Sequence, residues 1–247
     1  MTEKKSTVSE HLIELRSRLL KSIIFLVITF IVCYIFSDKI YNFLVDPYAQ
    51  AVKDDGNNRR LIFTALHETF LTYLKLAFFA AFFFSCPLIL MQIWKFVAPG
   101  LYKDEKLALL PFLIATPVLF LLGGMLVYYL IMPLAIKFFL SFETAAINGS
   151  LPIQLEAKVN EYLSLVMRLI LAFGISFQLP VFLTLLAKVG FITSEYLKTR
   201  RKYVVIIIFS MAAILTPPDP ITQIGLALPL LLLYEISIYT VRFVEKK

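Results

Sequence analysis

The sequence predicts an all-α integral membrane protein of six transmembrane helices with both termini in the cytoplasm. Three observations lead there. Sixty per cent of its 247 residues are hydrophobic and only 17% are charged, a balance suited to a bilayer rather than to a soluble core. Apolar windows near the ~20 residues needed to cross ~30 Å of hydrocarbon recur along the chain. Lys and Arg fall unevenly on the two sets of connecting segments, sixteen on one set against six on the other, and the richer set is cytoplasmic. The net charge of +7 is then a consequence of topology and anionic-lipid contact, with no nucleic-acid partner implied.

The N-terminal residues, about 6 to 18, read as an amphipathic interfacial helix. Thr7 and Glu10 fit a capping box, and Leu12, Leu15 and Leu19 recur at helical spacing. The first span, about 19 to 36, lacks the small-residue cleavage pattern of a signal peptide, so the chain is expected to keep its N-terminus. The outer segment from about 37 to 69, with Asp46-Pro47 and a turn-like Asp54-Asp55-Gly56-Asn57-Asn58, is too long for a hairpin and is expected to form a cap. A second span follows at about 70 to 94.

The third span, about 107 to 136, contains Pro111, Pro117, Gly123, Gly124 and Pro133, which predict curvature and close helix contacts. The fourth covers about 160 to 187. The fifth is confined to about 203 to 216, between Lys202 and Thr216-Pro217-Pro218-Asp219, and its ~21 Å of helix at ~1.5 Å per residue is short for a bilayer. Pro217-Pro218 is expected to end it and to leave Asp219 at the outer surface. The sixth span, about 221 to 241, is short as well. Without internal repeats or low-complexity tracts, the whole chain reads as one membrane domain.

Several function classes find no support. Cys33 and Cys86 lie inside spans and imply no disulfide framework, and His11 and His67 lie too far apart in sequence to suggest a metal site. No phosphate loop, H-E-x-x-H or G-x-S-x-G motif occurs. The reading is therefore neither an enzyme nor a cofactor protein.

The polar residues that need a reason fall in two groups. Glu14, in HLIELRSRLL at 11 to 20, and Glu105, in WKFVAPGLYKDEK at 94 to 106, are carboxylates among bases on the cytoplasmic side. The plain reading of Glu14 is an i,i+4 pair with Arg18, worth ~0.2 to 0.5 kcal/mol, and that of Glu105 is a solvated loop charge. The alternative is a shared acidic spot for a basic peptide. Within or near the spans lie Lys75, Glu161, Arg168, Gln178 and Glu235, and ionisable groups at such depths are functional candidates by default. Lys75 and Glu161 sit near span ends and are able to snorkel. Arg168, deeper, is expected to face water or acceptors on another helix, not lipid. Gln178, rotated by about 80° from it at ~100° per residue, need not share its surface.

The chain resembles the TatC family, the membrane receptor of the twin-arginine protein translocase. HLIELRSRLL is similar to that family's N-terminal motif, with Glu14, Arg16 and Arg18 in place. FVAPGLYKDE at 96 to 105 is similar to its first cytoplasmic loop, with Phe96, Pro99, Leu101 and Glu105 matching. FGISFQLP at 173 to 180 and TPPD at 216 to 219 resemble its fourth- and fifth-helix motifs. The resemblance implies a concave bundle in the bacterial inner membrane that binds twin-arginine signal peptides of folded precursors. It implies binding through Glu14, Arg16, Arg18, Phe96 and Glu105, with Pro47, Arg168, Gln178, Asp219 and Glu235 as structural or cavity residues. It further implies single-span partners like TatA and TatB, a homo-oligomer within the receptor complex, and transport driven by the proton-motive force. A guanidinium is planar, always charged and forked, so two carboxylates suit two arginines in a way lysines would not. Two positions depart from the pattern: Gln178 stands where the family often has glutamate, and Arg168 where a small or apolar residue is expected. The competing reading is a secondary permease using Arg168, Gln178 and Glu235, a class that usually shows paired broken helices in related halves.

Overall fold

The computed structural model describes residues 8–53, 60–97, 110–144, 151–216 and 219–245, and among these the regular structure is helical, with two isolated backbone bridges. The helices are α1 (Val8–Ile35), α2 (Ser37–Lys53), α3 (Glu68–Val97), α4 (Leu110–Leu126), α5 (Met132–Leu140), α6 (Val159–Ser176), α7 (Leu179–Lys188), α8 (Ser194–Leu215) and α9 (Pro220–Glu245), with a π-helical segment, Val127–Ile131, joining α4 to α5. Among the described residues five stretches are long and apolar enough to cross a membrane, Leu12–Ile35, Glu68–Ile93, Pro111–Leu140, Val159–Lys188 and Pro220–Glu245, and the expected fifth span of 203 to 216 is not one of them. Helix α8 has its continuous apolar run only in its second half, after Lys198, Arg200, Arg201 and Lys202, with Leu197 buried in the first.

The interfacial segment expected near 6–18 is not a separate element. α1 continues unbroken from Val8 to Ile35, because nothing between Ser17 and Ile23 lacks an N–H or favours another backbone conformation. α1 packs chiefly on α3. α6 lies at the centre, against α3 and α4, while α7 and α8 pack on α9. The α4–α6 crossing is close: a Cβ on Gly123 would sit 2.7 Å from the Phe173 carbonyl oxygen. In lipid, where helices gain little from hydrophobic burial, such small-residue contacts supply association through packing.

The prolines shape the bundle through the hydrogen bonds they delete. Pro47 is inside α2, so the Phe43 carbonyl four residues back has no helical donor. The Tyr128 hydroxyl fills that place, donating to the Phe43 oxygen at 2.8 Å with its ring stacked on Phe43. The neighbouring Leu44 carbonyl accepts from the Tyr162 hydroxyl at 3.0 Å. Pro47 thus ties the α2 cap to the third and fourth spans. Pro133 likewise deprives Tyr129 of its donor, and just before it the backbone slips into π register, with Met132 N–H donating to the Val127 oxygen. The curvature expected of the third span takes this form.

The cap is helix rather than loop for residues 37–53, and the following strand-like segment is pinned to the start of α6. Ile62 N–H donates to the Ala157 oxygen at 3.1 Å, and Val159 N–H to the Ile62 oxygen at 2.9 Å. The fourth span is interrupted at Phe177 and Gln178, where α6 gives way to α7. Pro180 removes the backbone donor that would have satisfied the Ser176 carbonyl and continued the helix.

α8 ends at Leu215, and Thr216 turns to an extended conformation (φ −96°, ψ 158°), as the residue before a proline must. Pro217 and Pro218 themselves lie outside the described residues. Asp219 departs from expectation. It is buried, 3% exposed, rather than at the outer surface. Its carboxylate accepts from Thr222 N–H at 2.7 Å and from the Thr222 hydroxyl at 2.6 Å. The acidic cap ahead of Pro220 satisfies the open Thr222 N–H of α9 and complements the helix dipole. α9 then runs 26 residues to Glu245, longer than the stretch of 221 to 241 read from hydropathy, because Arg242 and Glu245 extend the helix beyond its apolar part.

Candidate functional site

The N-terminal motif forms one face of α1 near the C-terminal end of α3. Glu14 and Arg18 are one helical turn apart, and Arg18 folds back so that Nε and Nη2 both donate to Glu14 Oε1, at 3.0 and 2.6 Å. Its remaining arm, Nη1, donates to Gln92 Oε1 at 3.2 Å. One guanidinium therefore holds the carboxylate and fastens α1 to α3. The fork geometry of arginine makes this possible; a lysine ammonium could not present three donors in fixed directions. Ser22 Oγ donates to the Arg18 carbonyl at 3.0 Å.

Glu14 keeps about a third of its side chain accessible (33%) and Arg18 a quarter (24%). They line a shallow recess of about 380 Å³ with Ile13, Ser17 and Lys21. The partly accessible carboxylate faces this recess. The i,i+4 pair read from sequence is thus present, and it works as a positioning device for a carboxylate at the rim of a recess. Arg16 is exposed on the opposite side of α1, about 200° from both Glu14 and Arg18 at ~100° per residue, and Phe96 is half-buried on the last turn of α3. Glu105, with Pro99 and Leu101, lies outside the described residues. Sequence reasoning missed Gln92: an uncharged residue near the end of an apolar run has no signal of its own, and only the crossing of α1 and α3 reveals it.

The second group separates. Gln178 is buried, 7% exposed, at the break between α6 and α7, and its Nε2 donates to the Thr116 carbonyl at 3.0 Å. Its Oε1 is buried without a hydrogen-bond partner among the described residues. Arg168 points the other way: it is exposed on α6 and makes no ion pair or hydrogen bond among the described residues. Of the two surroundings expected for it, water or acceptors on another helix, the acceptors are not found among the described residues. Helix α6 buries the opposite face, including Leu163, Val166, Ile170 and Phe173, so the position of Arg168 on the helix circumference leaves it outside. Glu235 is compensated, its Oε2 lying 2.6 Å from Arg201 Nη2 and joining α9 to α8. Lys75 Nζ donates to Asn160 Oδ1 at 3.2 Å, and Glu161 pairs with Lys158 at 3.6 Å. Pro47 has the structural place described above.

Comparison with known proteins agrees across nearly the whole chain. The family model described as Sec-independent protein translocase protein (TatC) matches residues 10–229. The Sec-independent protein translocase protein TatC of Magnetococcus marinus is 49% identical over 245 residues, covering 99% of this chain and 87% of that protein. Its counterpart in Rickettsia prowazekii is 45% identical over 236 residues, covering 96% and 92%, and that of Escherichia coli is 37% identical over 233, covering 94% and 87%. A crystal structure of the twin-arginine translocase receptor TatC superposes with a TM-score of 0.79 at 37% identity, covering 96% of this chain and all of that one. The all-helical fold described above is the fold of that receptor, and these matches give the permease reading no support. This chain is a multi-pass membrane protein that belongs to the TatC family of Sec-independent protein translocase components.

Proposed function

We propose that the chain is the receptor subunit of a twin-arginine translocase and that it binds the paired arginines of precursor signal peptides at Glu14. The observation that carries this reading is the Arg18 clamp, which holds the Glu14 carboxylate at the rim of an open recess while fastening α1 to α3. An arginine of the peptide adds to that carboxylate by a charge-assisted bond worth about 1.5 to 3 kcal/mol. Glu105 supplies the second carboxylate, Arg18 orients the site, Arg16 holds α1 at the headgroup level from its other side, and Phe96 packs against the apolar part of the peptide. The whole chain acts as one membrane domain in the bacterial inner membrane, with both termini in the cytoplasm. It assembles with further copies of itself and with TatA-like and TatB-like single-span subunits, and the proton-motive force drives transport.

The test is binding of a labelled signal peptide to the purified full-length chain in detergent. A peptide with consecutive arginines should bind, and the same peptide with two lysines should bind at least about tenfold more weakly. Glu14→Gln should weaken the arginine peptide by about 10- to 100-fold, with thermal unfolding shifted by less than about 0.5 kcal/mol. Equal affinity for both peptides, or an unaltered affinity in Glu14→Gln, would refute the assignment.

A further inference from the structure

At the end of the bundle opposite Glu14, an open groove of about 450 Å³ runs between α3 and α4, floored by Ile170 of α6. Its walls are apolar: Phe79, Phe83 and Phe84 on one side, Leu121 and Met125 on the other. At its mouth stand Lys39 and Phe43 of α2 with Tyr128 and Tyr129 of the π-helical segment. The ring of Tyr129 is largely exposed, 70%.

Charge and length together say what fits. Lys39 rests its ammonium over the Phe36 ring, 5.3 Å from the centroid, and has no carboxylate partner among the described residues. The acidic groups of the same helix make no ion pair with it. Asp38 lies beside Tyr73, whose ring stacks on Tyr41, and Asp46, which accepts from Gln50 at 2.6 Å, is near Tyr128. The groove thus ends in an exposed cation without an ion-pair partner among the described residues. From Tyr129 back to Leu121 is eight residues, or ~12 Å of helix at ~1.5 Å per residue. That is close to one leaflet of a ~30 Å hydrocarbon core. A membrane-spanning helix of a partner would need a groove twice as deep, whereas one acyl chain with an anionic headgroup at Lys39 matches both the depth and the charge.

We infer that the groove between α3 and α4 is a binding site for an anionic phospholipid of the leaflet facing α2, with an acyl chain along Phe83 and Leu121 and the headgroup phosphate on Lys39. The Tyr129 hydroxyl, presented by the π-helical segment, stands beside the same headgroup. This inference is independent of the signal-peptide reading, since the two sites lie at opposite ends of the bundle.

Native mass spectrometry of the full-length chain, given equal amounts of phosphatidylglycerol and phosphatidylcholine, tests it. The wild type should retain one phosphatidylglycerol in about fivefold preference, the factor expected of one Lys near an anionic headgroup. Lys39→Gln should erase the preference while still retaining lipid. Leu121→Trp, which fills the groove, should lower retention of both lipids; Met125→Trp fills it from another position should Leu121→Trp not fold. Binding of the arginine signal peptide should be unchanged in all three. Undiminished phosphatidylglycerol preference in Lys39→Gln, or undiminished retention in both groove-filling variants, would overturn the site. So would disulfide crosslinking of a Tyr129→Cys variant to a second copy or to a single-span protein in place of lipid.

Discussion

Helices α1 and α6 are both apolar membrane helices, yet they have opposite relations to the rest of the protein. Among the described side chains of α1, Cys33 alone is buried, and the helix packs chiefly on α3. In α6, nine of eighteen side chains are buried, among them Leu163, Val166, Leu169 and Phe173 with no exposed surface. The helix that carries the candidate site is thus an edge element, and the helix at the centre carries little that is exposed and polar apart from Arg168 and Glu161. The candidate site and the core are drawn from different helices. An edge helix can present Glu14 without opening the core, and the polar tie of Arg18 to Gln92 adds to apolar contacts such as Phe30 on Phe78 in setting its register against α3.

This contrast breaks most directly in the core. Phe173→Ala should destabilise the protein by about 3 to 5 kcal/mol, because Phe173 is fully buried and its backbone meets Gly123. Thermal unfolding in detergent reads the change. A loss under about 1 kcal/mol would mean that α6 is not the hub its burial suggests.

A smaller effect sharpens the comparison within α6 and α7. Gln178→Leu removes the hydrogen bond to Thr116, a loss of about 0.6 kcal/mol by the average for polar contacts in membranes, and it also removes the unpartnered buried Oε1. Stability should therefore fall by no more than about 1 kcal/mol. If export of a twin-arginine reporter is lost while stability is retained, the amide acts on the transport cycle and not on the fold.

On the edge helix, Gln92→Leu should leave the unfolding temperature nearly unchanged but weaken arginine-peptide binding several-fold, since Arg18 loses one of its two anchors and holds Glu14 less rigidly. Equal affinity in wild type and variant would show that Glu14 needs no support from α3. The smallest expected change is in Arg168→Leu. Its guanidinium has no partner among the described residues, so replacement should alter stability by less than about 0.5 kcal/mol or raise it. A marked loss of stability would point to an acceptor beyond the described residues.

Much was determined by the sequence alone. Hydropathy and the distribution of bases are properties of local segments, so the spans and the helical class follow from residues such as those of 70 to 94 without knowledge of any neighbour. The end of α8 before Pro217 is equally local, since a proline constrains the residue before it in any context. The N-terminal motif marked Glu14, Arg16 and Arg18, and its i,i+4 spacing contained the Glu14–Arg18 pair. The tertiary structure decided what depends on partners distant in the chain. Gln92 became part of the site because α1 crosses α3 at Arg18. Tyr128 took the acceptor that Pro47 leaves open 85 residues away. Asp219 was buried as a cap where exposure had been expected, because a carboxylate at the start of α9 finds the helix's own open Thr222 N–H. Gln178 and Arg168, both polar residues of one span, went respectively inward and outward, because burial is set by which face of a helix its neighbours cover, and a single helix's pattern does not name those neighbours.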